Sequence, residues 1–183
     1  MTKDATLERP QTGRSASLEL THALTQALYR EARMLDEENY DGWVNMLAED
    51  LFYHMPGIET RYRRDKTDQV NDLRRMAYYN DNLTEIKKRL SRLETGTAWS
   101  EDPATRYTHI ITNIEVEFSP TPGEYRVFSN FYAYRNRNER EEDTLIGNRV
   151  DIWREAGEAF HLVKRQIILK HNVLLSKNLN IFL

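Results

Sequence analysis

The segment Tyr107–Phe118 reads Tyr-Thr-His-Ile-Ile-Thr-Asn-Ile-Glu-Val-Glu-Phe, and it opens the part of the sequence that decides the fold. From Ile114 to Phe118, apolar residues alternate with glutamates. A period of two is typical of a β-strand with one buried and one solvated face. The next segment, Ser119–Gly123, favours a turn because its prolines cannot extend a strand ladder. The pattern therefore predicts a long strand that ends in a turn.

Further strand-like segments follow this turn with no helix between them. They are Tyr125–Tyr134, Thr144–Arg154 and Phe160–Leu169. A charged connection at 135–143 separates the first two, and a turn at Gly157 separates the last two. Connections this short favour an antiparallel meander, since a parallel crossover needs a dozen or more residues. In the third of these four strands, the alternation places three apolar residues on one face: Ile146, Val150 and Ile152. A sheet this long needs a cover on one face, and we expect the earlier helices to supply it.

The first half of the chain is predicted to be mainly helical. Its elements are an amphipathic helix at Ser17–Leu35, a second helix at Asn39–Ala48, a short strand at Asp50–His54 and a third helix at Leu83–Leu93. Helices followed by a run of strands indicate an α+β fold rather than a parallel α/β fold. Residues 1–16 are polar and predict an N-terminal arm, and residues 17–183 predict a single domain.

The composition excludes several classes of protein. The chain has 26 basic and 29 acidic residues, a net charge of −3 and no cysteine. Disulfides and thiolate metal sites are therefore excluded, and the charge does not favour nucleic-acid binding. No apolar run approaches the ~18 residues of a membrane span, and no signal-peptide core is present at the N-terminus. The absence of cysteine is compatible with a reducing cytoplasm.

Three segments outside the sheet are candidates for contacts with partners. A basic segment carries Arg61, Arg63, Arg64 and Lys66, which reads as a solvated loop or as a surface for an acidic partner. The loop before the first long strand holds Trp99 and Arg106. The sequence ends on Ile181, Phe182 and Leu183. We expect these apolar residues to pack against the rest of the chain or against a neighbouring chain.

Short motifs lie in a specific order and spacing along most of the chain. They are Tyr29–Asp36, Tyr40–Trp43, Tyr53–Pro56, Trp99–Pro103 with Arg106, His109 and Asn113, Tyr134–Arg137, Gly147 with Arg149 and Asp151, Lys164–Leu169, and Asn178–Leu183. Together they resemble the β (small) subunit of bacterial aromatic ring-hydroxylating dioxygenases of the biphenyl, cumene and naphthalene type. Lys170 departs from the family, which often has an acid after the last strand.

The resemblance implies a fold and an assembly. The fold is an α+β cone, in which a curved, mostly antiparallel sheet wraps around N-terminal helices, as in nuclear transport factor, scytalone dehydratase and ketosteroid isomerase. The assembly is an α3β3 hexamer in the bacterial cytoplasm, in which catalytic α subunits carry a Rieske [2Fe-2S] cluster and a mononuclear non-haem Fe(II). The complex adds dioxygen to an arene, giving a cis-dihydrodiol, with electrons from NAD(P)H through a reductase and usually a ferredoxin.

The β subunit of this family is chiefly structural, so we expect no catalytic, cofactor or metal residue on this chain. The structural or interface candidates are Trp99, Arg106, Arg149, Asp151, Asn178, Asn180, Phe182 and Leu183. Arg149 and Asp151 share one face of their strand, from which we predict that they form an ion pair with each other.

The sequence alone leaves open two functions of a different kind, a metal site and an acid–base enzyme. His109 and His161 lie on predicted strands and could approach each other at a metal site, although a non-haem iron site needs two histidines and a carboxylate. A cone-fold lyase or isomerase would need acid–base groups in an internal pocket, for which the candidates are Asp36, Tyr53, His54, His109 and Tyr132. A standalone small-molecule binder has less support.

Overall fold

The computed structural model describes residues 13–62, 64–65, 70, 76–94, 105–139, 141–175, 179 and 181–183. The helices are α1 Leu18–Asp36, α2 Tyr40–Val44 and α3 Leu83–Glu94, and the strands are β1 Leu47–Pro56, β2 Ala77–Asp81, β3 Arg106–Phe118, β4 Glu124–Arg137, β5 Glu141–Ala156 and β6 Ala159–Leu169. Several residues singled out above lie outside the described part of the chain: residues 1–12, Arg63, Lys66, Trp99, Asn178 and Asn180.

The N-terminal helix begins where the sequence predicts. The Ser17 side chain accepts a hydrogen bond from the Leu20 N–H at 3.2 Å, which caps α1. The second helix is shorter than predicted, because α2 ends at Val44 and β1 already begins at Leu47. The prediction of a helix to Ala48 was wrong because pairing of β1 with two neighbouring strands overrides the local helical pattern.

All six strands form one sheet in the order β2-β1-β6-β5-β4-β3. The predicted meander is confirmed, since β3, β4, β5 and β6 pair antiparallel in sequence order. The remaining strand, β1, pairs parallel with β6 and antiparallel with β2. The sheet is therefore mixed, and its two halves are joined by a parallel pair.

In β5, the inner face of the sheet, which packs on the helices, carries charged residues of the strand. Leu145, Gly147, Arg149, Asp151 and Trp153 are buried there. The face that carries Ile146, Val150 and Ile152 is the outer one. The charged residues Arg149 and Asp151 therefore point inward, where they meet partners from other elements.

A β-bulge in β3 lets both halves of that strand bury side chains on the inner face. The register shifts between Thr112 and Glu115, and Asn113 has a φ of 53°. Ile111 before the bulge and Val116 after it are both buried, although an unbroken strand would place them on opposite faces. The helix α1 packs against this strand.

Both ends of the described chain lie against the body of the protein. Residues 14–16 run along the free edge of β3, through hydrogen bonds of Ala16 N–H to Val116 and of Phe118 N–H to Arg14. At the other end, Ile181, Phe182 and Leu183 are all buried in the core. None of the helices in the described residues combines the length and apolar character that crossing a membrane requires.

Candidate functional site

A charged residue of α1 meets two charged residues of the sheet in the middle of the core. The Arg165 guanidinium donates to both carboxylate oxygens of Glu31, at 2.8 Å each. It also donates to both oxygens of Asp151, at 3.0 Å from Nε and 2.8 Å from Nη2. Arg165 is fully buried, so this double pairing supplies the partners that a buried charge needs.

Arg149 completes this group, although it does not make the ion pair predicted for it. Its Nη1 lies 3.8 Å from Glu31 Oε2, and its Nε donates to the Ser129 hydroxyl at 3.3 Å. Asp151 is paired with Arg165 instead. The prediction of an Arg149–Asp151 pair was wrong because the guanidinium of Arg165, on the neighbouring strand β6, reaches the carboxylates of both Asp151 and Glu31. We call Glu31, Arg149, Asp151 and Arg165 the buried ionic cluster.

The cluster balances two carboxylates against two guanidinium groups. Burial by itself would raise the pKa of Glu31, but Arg165, Arg149 and the Trp43 N–H hold that pKa below its usual value. Burial would lower the pKa of Arg165, yet Asp151 and Glu31 raise it well above its usual value. Burial and Arg165 lower the pKa of Arg149, although a guanidinium keeps its proton in proteins. The cluster is therefore a set of mutually dependent charges.

The segment Ile181–Leu183, which we call the docked segment, lies against this cluster. The Tyr53 hydroxyl donates to the Leu183 carbonyl oxygen at 2.6 Å and accepts from the Leu183 N–H at 2.7 Å. Arg165 Nη1 donates to the same carbonyl at 3.1 Å. Burial raises the pKa of Tyr53 to about 12, so its phenol stays protonated and can donate at neutral pH.

A histidine and an aspartate hold the middle of the docked segment. His109 Nδ1 lies 2.6 Å from Asp36 Oδ1, and its Nε2 lies 2.9 Å from the carbonyl oxygen of Phe182. A carbonyl only accepts, so Nε2 must carry the proton. His109 is therefore a hydrogen-bond donor toward Phe182.

The Phe182 ring sits among three other aromatic rings. Its centroid lies 4.6 Å from that of Trp43, 6.2 Å from that of Tyr79 and 6.5 Å from that of Tyr40. The free space beside it measures about 10 Å³, which is at the lower limit for one water molecule. The docked segment thus fills the concave side of the sheet.

The predicted acid–base candidates do not share one pocket. Asp36, Tyr53 and His109 surround the docked segment, whereas Tyr132 lies exposed on the outer face. His54 stacks on Phe52, also away from the concave side, and burial lowers its pKa, with the Lys164 charge adding to the effect. The arrangement therefore binds the chain to itself and does not support the lyase or isomerase reading.

The structure does not support the suggested histidine pair. His109 is on β3 and His161 is on β6, with β4 and β5 between them in the sheet. Within the described ranges, no group of three or more His, Asp or Glu side chains is placed to hold a metal ion.

An open groove with a volume of about 640 Å³ is lined by residues of β1, α3 and the β5–β6 hairpin. Its Arg154 is bound by Asp50 and by Glu124, both at 2.8 Å. These contacts raise the pKa of Arg154 further above its usual value. The guanidinium of Arg154 in this groove is therefore engaged by two carboxylates.

Sequence reasoning missed Glu31 and Arg165, the two residues with the most partners in the cluster. The signal was present. Glu31 falls on the apolar stripe of α1 with Leu24, Leu28 and Leu35, and Arg165 falls between inward-facing positions of β6. A charge at a core-facing position is rarely tolerated without a partner, so each position predicts an opposite charge elsewhere.

The outer face of the sheet carries a row of exposed apolar side chains. Ile110, Tyr132 and Ile146 lie directly opposite one another on β3, β4 and β5. Their side chains are 54%, 38% and 44% exposed, respectively. We call these three residues the outer row. Contiguous exposed apolar surface is typical of a protein–protein interface.

Arg106, one of the predicted interface residues, is exposed at the start of β3. It lies opposite Asn136 of β4. Its role at an interface stays a prediction.

Comparison with known proteins agrees with this architecture. A model of the family described as "Ring hydroxylating beta subunit" matches residues 30–176. The biphenyl 2,3-dioxygenase subunit beta of Rhodococcus jostii is 38% identical over 165 residues, which cover 89% of this chain and 88% of that one.

Solved structures show the same fold. A structure of naphthalene 1,2-dioxygenase with indole bound superposes with a TM-score of 0.83 at 25% identity, covering 92% of this chain and 88% of that one. A protein described as a scytalone dehydratase, from Novosphingobium aromaticivorans, superposes with a TM-score of 0.59 at 16% identity, covering 84% and 86%. The second likeness concerns the fold alone and confirms the predicted α+β cone. The extent of these matches shows that the chain belongs to the family of ring-hydroxylating dioxygenase beta subunits.

Proposed function

We propose that this chain is the non-catalytic, structural β subunit of a complex that converts an arene and dioxygen to a cis-dihydrodiol. The observation that carries the proposal is the 38% identity to a biphenyl 2,3-dioxygenase β subunit along nearly the whole chain. The structure adds a physical reason, because the described concave side of the sheet is filled by the docked segment and leaves about 10 Å³ beside it.

In this proposal the redox centres belong to the partner α subunit. A Rieske cluster needs two cysteines and two histidines, and the present sequence contains no cysteine. The mononuclear iron would likewise bind to α. Electrons would reach the complex from NAD(P)H through a reductase and a ferredoxin.

We place the assembly contacts on the outer row and the neighbouring residues of the long strands. Ile110, Tyr132 and Ile146 would be covered in an α3β3 hexamer in the bacterial cytoplasm, either by an α subunit or by another β subunit. Arg106, at the start of β3, is a further candidate for this interface. Burying each large apolar side chain contributes roughly 1.5–3 kcal/mol.

Co-expression tests the proposal directly. The partner is the product of a neighbouring reading frame that encodes Cys-x-His and Cys-x-x-His. We expect the two chains to co-purify, iron and the [2Fe-2S] absorption to follow the partner, and cis-dihydrodiol formation to require both chains. Stoichiometric, activity-linked iron on the present chain alone would contradict the proposal, as would full activity of the partner without it.

A further inference from the structure

Two cations lie on the outer face of the sheet, on either side of a buried apolar residue. Arg126 of β4 and Lys164 of β6 are both paired in register with Ile152 of β5, which is only 8% exposed. Burial and the charge of Arg126 lower the pKa of Lys164, so the two cations act on each other electrostatically. A carboxylate placed beside them would favour the charged form of both.

Arg126 is not neutralised within the described part of the chain. Its Nε is buried and lacks a hydrogen-bond partner, and none of the ion pairs between described residues includes Arg126. Glu117 lies directly opposite it on β3, yet the buried Oε2 of Glu117 lacks a partner as well. The side chain of Arg126 is half-buried, so a carboxylate from outside the chain can still reach its guanidinium group.

The same face also presents a carboxylate that takes part in none of the ion pairs between described residues. Glu115 follows the β-bulge of β3 and points to the outer face, since its neighbour Val116 is buried on the inner face. Glu115 is exposed. Because β3 is the last strand of the sheet, Glu115 lies near the edge of the outer face, where a neighbouring molecule can approach it.

We propose that a second copy of this chain binds to the outer face, with Glu115 of one copy accepting hydrogen bonds from Arg126 of the next. This inference rests on the proposed function and deepens it, because it names another β subunit as the partner that covers the outer row. Both halves of the contact, an unneutralised arginine and an exposed glutamate, are present on the same face of every copy. Ile110 of the outer row shares that face of β3 with Glu115, so one contact would bury both.

Such a contact is heterologous when each copy turns its glutamate toward one neighbour and its arginine toward the other. Heterologous contacts close into a ring if the rotation between copies allows it. A ring of three copies would match the three β subunits of the α3β3 assembly. The ion pair would fix the register of the copies and exclude wrong pairings, while the apolar outer row would supply buried area.

The test uses the isolated full-length chain, whose mass is measured by sedimentation equilibrium over a range of protein concentrations. Arg126→Glu and Glu115→Arg each place like charges across the contact. The double variant Glu115→Arg/Arg126→Glu restores an opposite pair with its signs exchanged. Lys88→Glu is the matched control, because it reverses an exposed positive charge on α3, outside the sheet.

We expect the wild type to self-associate and each single reversal to raise the dissociation constant by at least about ten-fold, while Lys88→Glu leaves it unchanged. The double variant should return to within about three-fold of the wild type, because the two changes compensate each other. Circular dichroism verifies the fold of every variant. If a reversal variant does not fold, the neutral substitutions Arg126→Gln and Glu115→Gln replace it, and each should weaken self-association in the same direction.

A wild-type chain that stays monomeric at every concentration overturns the proposal, as does a single reversal that leaves self-association unchanged or a double variant that does not recover it. Co-expression separates this result from the proposed function. If the wild-type chain co-purifies with the α subunit but copies of it do not meet through Arg126, only the contact between copies is disproved. Reversal variants that lose the α subunit but keep their self-association would show that α covers this part of the face, which also overturns the proposal.

Discussion

At the scale of single residues, the stability of this protein depends on how its buried charges are paired. Removing one partner of a buried ion pair costs roughly 3–5 kcal/mol because the remaining charge stays buried. Arg165 holds two carboxylates, whereas Arg149 makes one longer contact at 3.8 Å. The two arginines are therefore not equivalent, although both are buried.

We expect Arg165→Met to lower the free energy of unfolding by roughly 3–5 kcal/mol and Arg149→Met to lower it by less. Arg154→Met is the control, because Arg154 pairs with Asp50 and Glu124 near the surface, where such pairs contribute about 0–1 kcal/mol. Urea denaturation of the full chain measures all three. Equal losses for the three variants would contradict this assignment.

The ionisation of Tyr53 makes the stability of the folded protein depend on pH in the alkaline range. Its pKa is about 12 in the folded state and about 10 in the unfolded state, so the folded protein holds the phenol proton more tightly. This contribution is complete below pH 10 and is lost as the pH rises toward 12, by up to roughly 3 kcal/mol.

The substitution Tyr53→Phe isolates this effect. At pH 7 we expect the variant to be less stable, because the N–H and carbonyl of Leu183 lose their buried partner at about 1–3 kcal/mol. Between pH 10 and pH 12 the difference from the wild type should shrink, since only the wild type still has this phenol to ionise. A difference that stays constant over this range would show that Tyr53 is not the titrating group.

At the scale of elements, β5 shows why the motif Gly147-x-Arg149-x-Asp151 has its spacing. The three residues alternate along one strand and therefore share the inner face. A Cβ added at Gly147 would lie 2.5 Å from the backbone oxygen of Ile168 and 2.7 Å from the Phe131 ring. The glycine thus allows β5 and the Phe131 ring to approach each other closely.

We therefore expect Gly147→Ala to destabilise the fold by about 1–3 kcal/mol through overpacking. Gly13→Ala is the control, because its added Cβ would meet only the flexible Glu117 side chain, at 2.7 Å, and should change stability by less than about 0.5 kcal/mol. Thermal and urea unfolding of both variants check this. If Gly147→Ala leaves the free energy of unfolding unchanged, the added Cβ must be accommodated by movement of its neighbours without loss of stability.

The elements also show what the sequence could and could not predict. The long strands and the amphipathic helix α1 were predictable because periodicity is a local property. The partners of the inward-facing charges of β5 were not, because Glu31 and Arg165 are distant from them in the chain. The same holds for β1, whose parallel partner β6 lies more than a hundred residues further on. Of the site, burial of the docked segment was expected, but its individual partners were not predictable.

At the scale of the whole molecule, we propose that the two faces of the sheet have separate roles. The inner face closes the fold through the buried ionic cluster and the docked segment, and we assign assembly to the outer row. A change on the outer row should therefore affect association more than the stability of the single chain.

We expect Ile146→Arg to reduce co-purification with the α subunit or to shift the complex to smaller species, with little change in the circular dichroism of the isolated chain. Leu18→Arg is the control, because Leu18 is an exposed apolar residue on α1, away from the outer row. Size-exclusion mass measurements on co-expressed chains give the result. An unchanged mass for Ile146→Arg would place the interface elsewhere.

Deletion of residues 179–183 tests how much the docked segment on the inner face contributes to stability. Burying three large apolar side chains contributes several kcal/mol, comparable to the whole stability of a small domain. We expect a lower melting temperature or a smaller oligomer for the truncated chain, while iron bound by the α subunit keeps its spectrum. An unchanged melting temperature and mass would show that the docked segment contributes nothing in solution.

The contacts of the buried ionic cluster and of the docked segment also bear on how fast the protein folds. Glu31 and Arg165 are separated by 134 residues, and Tyr53 and Leu183 by 130. Such contacts close long loops before any of their energy is gained, and topologies rich in them refold in milliseconds to seconds rather than microseconds. Until the loops close, β1 and β6 expose unpaired edges that can join other molecules. We therefore expect the long-range contacts that stabilise the folded molecule to make its refolding slow and sensitive to protein concentration.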